Sequence, residues 1–313
     1  MRFPFKLNTA SEFDAVGFGT NAVDFLIGVP QYPEFNSKVE ISGYVQAAGG
    51  EVATTMAGLA RLGSRTAYAG RFGSDPAGKF GLRSLEDDGV DIRWAETVQD
   101  AATQIAFIVI DRLSGERTVM WQRDDALAYE AHEAPIAAAL AARVLHFTPH
   151  DADACHLMAR AARTAGAVVS ADVDNIFDGI ENVLPLIDIL IMSSDLPGRL
   201  IGTHDTENAL KELHSRYGCR VAGVTLGAAG SLLLVDGKSF IRTEGYGVPG
   251  GCRDTTGAGD AFRAGLLYGL LKEESIEDSA RIANAVAALK CREIGARTAL
   301  PSAAELGQFL TNL

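Results

Sequence analysis

The feature that most limits the fold is an alternation in the middle of the chain. Segments with helical periodicity, 131–142 and 151–165, take turns with short apolar segments of strand length at 143–147, 167–172 and 188–192. A parallel pair of strands needs a helix-length crossover, so this alternation predicts a mostly parallel sheet covered by helices on both faces. Further strands are expected at 14–19, 65–70 and 220–225, and at 231–235 and 238–243 around the hairpin turn Asp236-Gly237.

One stretch in this frame carries chemistry. Asp254-Thr255-Thr256-Gly257-Ala258-Gly259-Asp260 leads into an apolar helical run that includes Ala261, Phe262, Leu266 and Leu270. A glycine turn that opens a helix leaves backbone N–H groups without intrahelical partners, and the helix dipole adds positive potential there. Such a place binds phosphate. Asp260 would repel that phosphate, which suggests a task for it: taking a proton from a hydroxyl about to attack the phosphorus. The plainer alternative is a capping threonine followed by a first-turn acid favoured by the dipole. No G-x-x-x-x-G-K-[ST] run occurs, which excludes a P-loop site.

Charge and cysteines narrow the classes. The net charge of −12 argues against nucleic acid or anionic membrane as a partner. Cys155, Cys219, Cys252 and Cys291 form no C-x-x-C pair, so neither a zinc site nor a disulfide framework is expected. With no membrane-length apolar run and a polar Asn8–Glu12 segment where a signal peptide would be apolar, a cytoplasmic location is the expectation.

The N-terminal half adds a second glycine-opened helix. Gly49-Gly50 precedes Glu51 to Leu62, and Gly63 follows as a C-cap. Asp24 sits in the apolar run Ala22–Ile27, where an acid is costly unless it has a partner; it is either a strand-edge acid or an acceptor for substrate hydroxyls. Asp75, with Pro76 behind it, reads as a helix N-cap. Strands at 103–110 and 117–122, joined by a turn containing Ser114 and Gly115, form a hairpin. With 22–28 and 38–46 they make a small second sheet whose exposed faces and edges call for a partner. Arg117 and Arg123 are candidates for an anionic substrate group, although a solvated hairpin arginine is the commoner case. Asp172 and Asp174 follow a strand end, where they can serve magnesium, substrate or merely a solvated loop.

The full string from Asp254 to Asp260 resembles the D-T-x-G-A-G-D signature of the PfkB/ribokinase family of carbohydrate kinases. Gly49-Gly50 through Ala57-Gly58-Leu59-Ala60-Arg61-Leu62-Gly63 resembles that family's G-G-x-x-x-N block with A-x-x-L-A-R-L-G, except that Thr54 replaces the asparagine. The resemblance implies a ribokinase-like three-layer α/β/α fold over residues 1–313 as one domain. A β lid would come from about 20–48 and 102–124 and would often form a homodimer contact.

It also implies transfer of a phosphate from ATP, with Mg2+, to a hydroxyl of a sugar-like substrate. Asp260 would be the base, with Gly257, Ala258 and Gly259 as the anion hole. Asp24, Gly49, Gly50 and Thr54, together with Arg123, would hold the acceptor. Thr225, Gly227 and Gly230 of a T-x-G-x-x-G turn, with Thr256 and Asn284, would meet the nucleotide; tight helix packing is the other account of the small residues around Asn284. Gly295-Ala296-Arg297-Thr298 resembles a loop that, with the start of the signature, holds a monovalent cation such as K+ in some relatives.

The N-x-x-E segment associated with magnesium is relaxed here to Ser193 and Leu196, as in ketohexokinase-like relatives, with Asp195 or water as replacements and no direct metal ligand assigned. Two other functions stay open. One is a nucleoside kinase of the same family; the other is a regulator that binds sugar or nucleotide without turning it over.

Overall fold

The computed structural model describes residues 1–113 and 116–312; the turn residues Ser114 and Gly115, and Leu313, lie outside the described residues. The strands are β1 (Phe13–Phe18), β2 (Ala22–Val29), β3 (Gly43–Gly49), β4 (Thr66–Gly73), β5 (Asp91–Val98), β6 (Ile105–Asp111), β7 (Arg117–Gln122), β8 (Ala142–Phe147), β9 (Val168–Val173), β10 (Ile189–Met192), β11 (Val221–Thr225), β12 (Ser231–Val235) and β13 (Ser239–Thr243). Nine of them form one sheet in the order β13-β12-β11-β10-β9-β8-β1-β4-β5. It is parallel from β5 to β11; β12 alone runs the other way, pairing antiparallel with β11 on one side and β13 on the other.

Both faces of this sheet are buried, and the side chains show it. Along β10, Ile189 and Ile191 enter one apolar cluster while Leu190 and Met192 enter the other. This is the period-two alternation of a strand covered on both sides, and it gives three layers. One outer layer holds the helices Ala152–Thr164 and Thr206–Tyr217; the other holds Glu51–Arg61, Ala258–Leu271 and Ile276–Lys290. In that second layer the helices touch with no spare volume. A Cβ on Gly265 would stand 2.6 Å from the Ala283 Cα, and one on Gly58 would stand 2.8 Å from the Ala264 Cβ. The small residues expected at 283–285 therefore serve packing on one side of their helix.

The second sheet, in the order β3-β2-β6-β7, stands over the carboxyl end of the first. Its β6–β7 hairpin pairs Ile105 with Gln122 through Ile110 with Arg117. The strand expected at 38–46 instead begins at Gly43. Ser42 still donates to the Gly28 carbonyl at 2.7 Å, but β2 ends one residue past Gly28, the residue paired with Gly43, and the ladder stops there. The helix expected over 131–142 is reduced to two short turns, Ala131–Glu133 and Ile136–Leu140. Pro135 between them lacks the N–H that a continuous helix would need. β5 and the helix Thr206–Tyr217 carry no clear signal in the sequence, the former because only three of its eight positions, Ile92, Trp94 and Val98, are large and apolar. Among the described residues no helix is long and apolar enough to cross a membrane.

Candidate active site

A cleft of about 700 Å³ lies between the two sheets, at the carboxyl ends of β9, β10 and β11. This is where open α/β sheets place their ligands. Its floor is the start of the helix Ala258–Leu271. Gly257 caps that helix in the left-handed region, with φ 76°, and a Cβ there would stand 2.8 Å from the Ala296 Cβ, so only glycine fits. The turn before it is braced by Asp254, whose Oδ1 accepts from the Thr256 N–H at 2.8 Å and whose Oδ2 accepts from the Gly295 N–H at 2.8 Å. Thr55 fixes the first helical turn from the neighbouring helix by donating to the Asp260 carbonyl at 3.3 Å.

Asp260 lies in that first turn, buried, and it lines the cleft with Gly257, Ala258 and Gly259. Burial pushes its carboxyl up to about 6, the charge of Asp174 pushes the same way, and the guanidinium groups of Arg263 and Arg117 pull it down. Arg117 reaches in from the lid, its Nη1 donating to Thr255 Oγ1 at 2.8 Å.

The end of the cleft nearer the second sheet is built around Asp24. Its side chain points inward from β2, lines the cleft, and has no hydrogen-bond partner among the described residues. Burial drives it up to about 7, against the pull of Arg297 and with repulsion from Asp260 and Asp254. Gly49 makes room for it, since a Cβ there would stand 2.0 Å from Asp24 Oδ2. Gly50, with φ 86°, lets the chain turn into the next helix against the backbone of Asn21 and itself lines the cleft.

Thr54 does not reach the cleft. It is buried beneath the glycine pair, where Arg297 Nε donates to its hydroxyl at 3.4 Å and Arg297 Nη2 donates to the Gly49 carbonyl. Arg123 is also withheld. Its guanidinium makes two hydrogen bonds to Asp151, at 3.0 and 2.8 Å, and one to the Leu127 carbonyl at 3.1 Å. The Asp151 carboxylate claims it: Arg117 shares the cleft face of β7 with Val119 and Trp121, whereas Arg123 lies one residue past the end of that strand and turns to Asp151.

At the other end Thr225, Gly227, Gly230, Thr256 and Asn284 all line the cleft, with Ala287 and Ala288 beside them. Asn284 is held by its Nδ2, which donates to Ser231 Oγ at 3.2 Å and to the Ala280 carbonyl at 3.1 Å. The helix Ile276–Lys290 thus uses one side for packing and another for the cleft. Asp195 turns away: it accepts from Ser193 Oγ at 2.9 Å and pairs with Arg199 at 3.3 Å.

Several cleft residues escaped the sequence reading. Glu51 lines the floor, accepts from Thr20 Oγ1 at 3.1 Å and Thr148 Oγ1 at 3.0 Å, and is pushed well above its ordinary range by burial and by Asp174 and Asp172. The signal that singled out Asp260, an acid in the first turn of a glycine-opened helix, is present at Glu51 as well. Arg263 and the aromatic trio Trp121, His150 and Phe177 carried no such mark. The rings meet at 6.0 Å (Trp121–His150) and 4.3 Å (His150–Phe177) and form one wall of the cleft.

Relatives agree with this architecture. The family model described as pfkB family carbohydrate kinase matches residues 17–303. The chain is 29% identical to a ribokinase of Haemophilus influenzae over 301 residues, covering 93% of this chain and 96% of that one. It is 26% identical to a nucleoside kinase of Methanothermobacter thermautotrophicus over 298 residues, covering 93% and 94%. In three dimensions it superposes on a ribokinase of Arabidopsis thaliana, solved with ribose and ATP, with a TM-score of 0.81 at 24% identity, covering 95% of this chain and 98% of that one. The matched span holds both glycine-opened helices and the inward aspartates, and the chain belongs to the pfkB family of carbohydrate kinases.

Proposed function

We propose that this kinase transfers the γ-phosphate of ATP to a hydroxyl of a sugar or sugar-like acceptor, with Asp260 as the general base. The observation that carries the reading is the buried Asp260 carboxyl, raised to about 6, in the same helical turn as an anion site: the Gly257, Gly259 and Asp260 N–H groups have no partner among the described residues, while that of Ala258 donates to the Thr255 carbonyl at 3.1 Å. Those amides would bind the transferred group, and Asp260 beside them would take the acceptor's proton as attack begins. Asp24 would orient the acceptor by receiving its hydroxyls. Its lack of a protein partner supports this, because a buried acid left unpaired is otherwise a plain cost. Residues 1–313 act as one domain in this reading, with the lid contributing the acceptor side.

The nucleotide suits the Thr225–Gly230 and Asn284 end, where small residues leave room for a flat ring. Magnesium suits the floor beside Glu51 and Asp174, acids that among the described residues are not ion-paired with an arginine as Asp172 is with Arg263; bound there it would neutralise phosphate charge. Among the described residues no three acidic, histidine or cysteine side chains are close enough to chelate an ion directly, so water would complete its shell.

A monovalent cation does not suit its expected place. Gly295 and Asp254 do meet, but the buried Lys290 ammonium already donates to the Asp254 carbonyl at 2.9 Å and stands 3.8 Å from Asp254 Oδ2. That ammonium already supplies positive charge where the cation would bring it.

The lid's outward face supports a homodimer. Phe25 stacks on Tyr44 and Phe107 there, and Tyr44, Phe107 and Met120 are exposed. The aromatic wall of Trp121, His150 and Phe177 favours a second reading of the acceptor, a ribose that carries a flat base.

The decisive experiment is Asp260→Asn. It should keep ATP binding and lose at least roughly a hundredfold in turnover, the scale of general-base catalysis. Intact turnover would remove Asp260 from the role.

A further inference from the structure

The cleft lining includes six acids, Asp24, Glu51, Glu116, Asp172, Asp174 and Asp260, against two permanent cations, Arg117 and Arg263. Arg117 sits on the exposed strand β7 of the lid. Arg263 is different in kind: it is 5% exposed and belongs to the floor. It follows Asp260 by three residues and Gly259 by four, so all three share one side of the helix.

Its guanidinium is held from behind. Nη2 donates to the Ile191 carbonyl at 3.0 Å and contacts the Asp172 carboxylate, which is itself 2% exposed. Nε is buried without a partner. Nη1 makes no hydrogen bond to any described residue, and it lies where the side chain of residue 259 would be: a Cβ on Gly259 would stand 2.7 Å from it. The free end of a buried arginine is therefore aimed across the anion-binding turn.

We propose that Arg263 is a catalytic residue that hydrogen-bonds, through Nη1, the phosphoryl group while it passes from ATP to the acceptor. The inference rests on the phosphotransfer reading above and deepens it. In the step, the acceptor oxygen bonds to the γ-phosphorus and its proton goes to Asp260. The bond from that phosphorus to the β–γ bridging oxygen breaks, and its electron pair leaves with ADP. Arg263 gives up no proton. It supplies fixed positive charge where the transferred oxygens carry negative charge, as an arginine placed in cis does in other phosphoryl-transfer sites. The anchoring on Asp172 and Ile191 keeps the planar fork in one orientation, so little freedom is lost when the phosphoryl group arrives.

The test uses ADP with magnesium and aluminium fluoride, a mimic of the group in flight, bound to the whole chain and followed by calorimetry. Wild-type protein should bind ADP more tightly when aluminium fluoride is present. Arg263→Met should cut that gain by about tenfold or more and leave the affinity for ADP alone within about twofold, because the contact is made in the transition state. Turnover with whichever of D-fructose, D-ribose or adenosine the wild type phosphorylates should fall about 10³-fold.

Because the single change strands Asp172, the double variant Asp172→Asn/Arg263→Met restores charge balance. It should fold like wild type and remain as slow as the single variant. Recovery of turnover in the double variant would overturn the proposal and leave Arg263 as a counter-ion for Asp172. An unchanged fluoride gain in Arg263→Met, or none in wild type, would overturn it too. Failure of the kinase reading shows separately, as wild type that phosphorylates none of the three compounds.

Discussion

The floor of the cleft and its lid are built on opposite terms. On the floor Asp254 is held by two backbone N–H groups and Lys290, Arg263 by Ile191 and Asp172, and Glu51 by two threonines. On the lid the strand β7 is exposed at all six positions, and Asp24, which lines the cleft from β2, has no hydrogen-bond partner among the described residues. A fixed floor suits chemistry, where preorganised dipoles cost nothing at the moment of reaction. An open lid suits the choice of acceptor, since an unpaired acid and a wall of rings wait for whatever completes them. Changes on the floor should therefore alter turnover, and changes on the lid should alter the apparent affinity for the acceptor.

The largest effect expected from this contrast is the loss of turnover in Asp260→Asn. Its companion is a pH profile. The base must be ionised to receive a proton, and its carboxyl titrates near 6, so kcat should climb about tenfold per pH unit up to about 6 and stay level above it. A profile that is flat down to pH 5 would assign the proton to another group.

Asp24→Asn should come next, on the other side of the comparison. The amide keeps the shape and loses a charge-assisted acceptor, a difference of about 2–3 kcal/mol. Steady-state kinetics should show kcat/KM for the acceptor falling about a hundredfold while KM for ATP holds. A fall in kcat alone would move Asp24 from the lid's task to the floor's.

The two regions also differed in how legible they were. Glycine turns can be read from the chain because the backbone there admits nothing else: Gly257 with φ 76° and Gly50 with φ 86° are local necessities, and each marks a helix start facing the cleft. The alternation that fixed the parallel sheet is legible for a similar reason, since both faces of β8 to β10 are buried and run apolar. Arg123 could not be placed this way, because a choice between Asp151 and a ligand depends on residues 28 positions apart meeting in space. Thr54 could not either: its distance from the cleft follows from Arg297, which arrives from the far end of the chain and takes the Gly49 carbonyl. Arg263 looked like one more position on an apolar helix until its contact with β10 was known.

Lys290 tests the floor at a point away from the reacting atoms. Burial pushes its ammonium down and the Asp254 charge opposes that shift. Removing one partner of such a pair typically costs about 3–5 kcal/mol, because the other charge is left buried alone. Lys290→Met should accordingly lower the melting temperature by several degrees. If the ammonium stands where a monovalent cation would bind, K+ should then restore part of that loss in the variant and leave wild type unmoved, in both melting temperature and rate, when compared with tetramethylammonium at equal ionic strength. Wild type that is activated severalfold by K+ would show that the site accepts both charges.

The smallest effects belong to the two faces of the lid, and they should separate cleanly. Strand alternation sends Val119 and Trp121 into the cleft, and Met120 with its neighbour Phe107 outward. Trp121→Ala removes one ring of the inner wall. A ring contact is worth about 0.5–1.5 kcal/mol beyond its area, so KM for the acceptor should rise up to about tenfold with kcat nearly constant. The effect should be greater for a nucleoside than for a free sugar if the wall receives a base. Phe107→Asp places a charge on the outward face instead. Sedimentation velocity should then show the variant as monomer and wild type as the dimer proposed above, while the acceptor KM changes less than it does in Trp121→Ala. If the outward change raised KM as much as the inward one, the lid would have to be held in place by its partner copy, and the acceptor site would be completed only in the dimer.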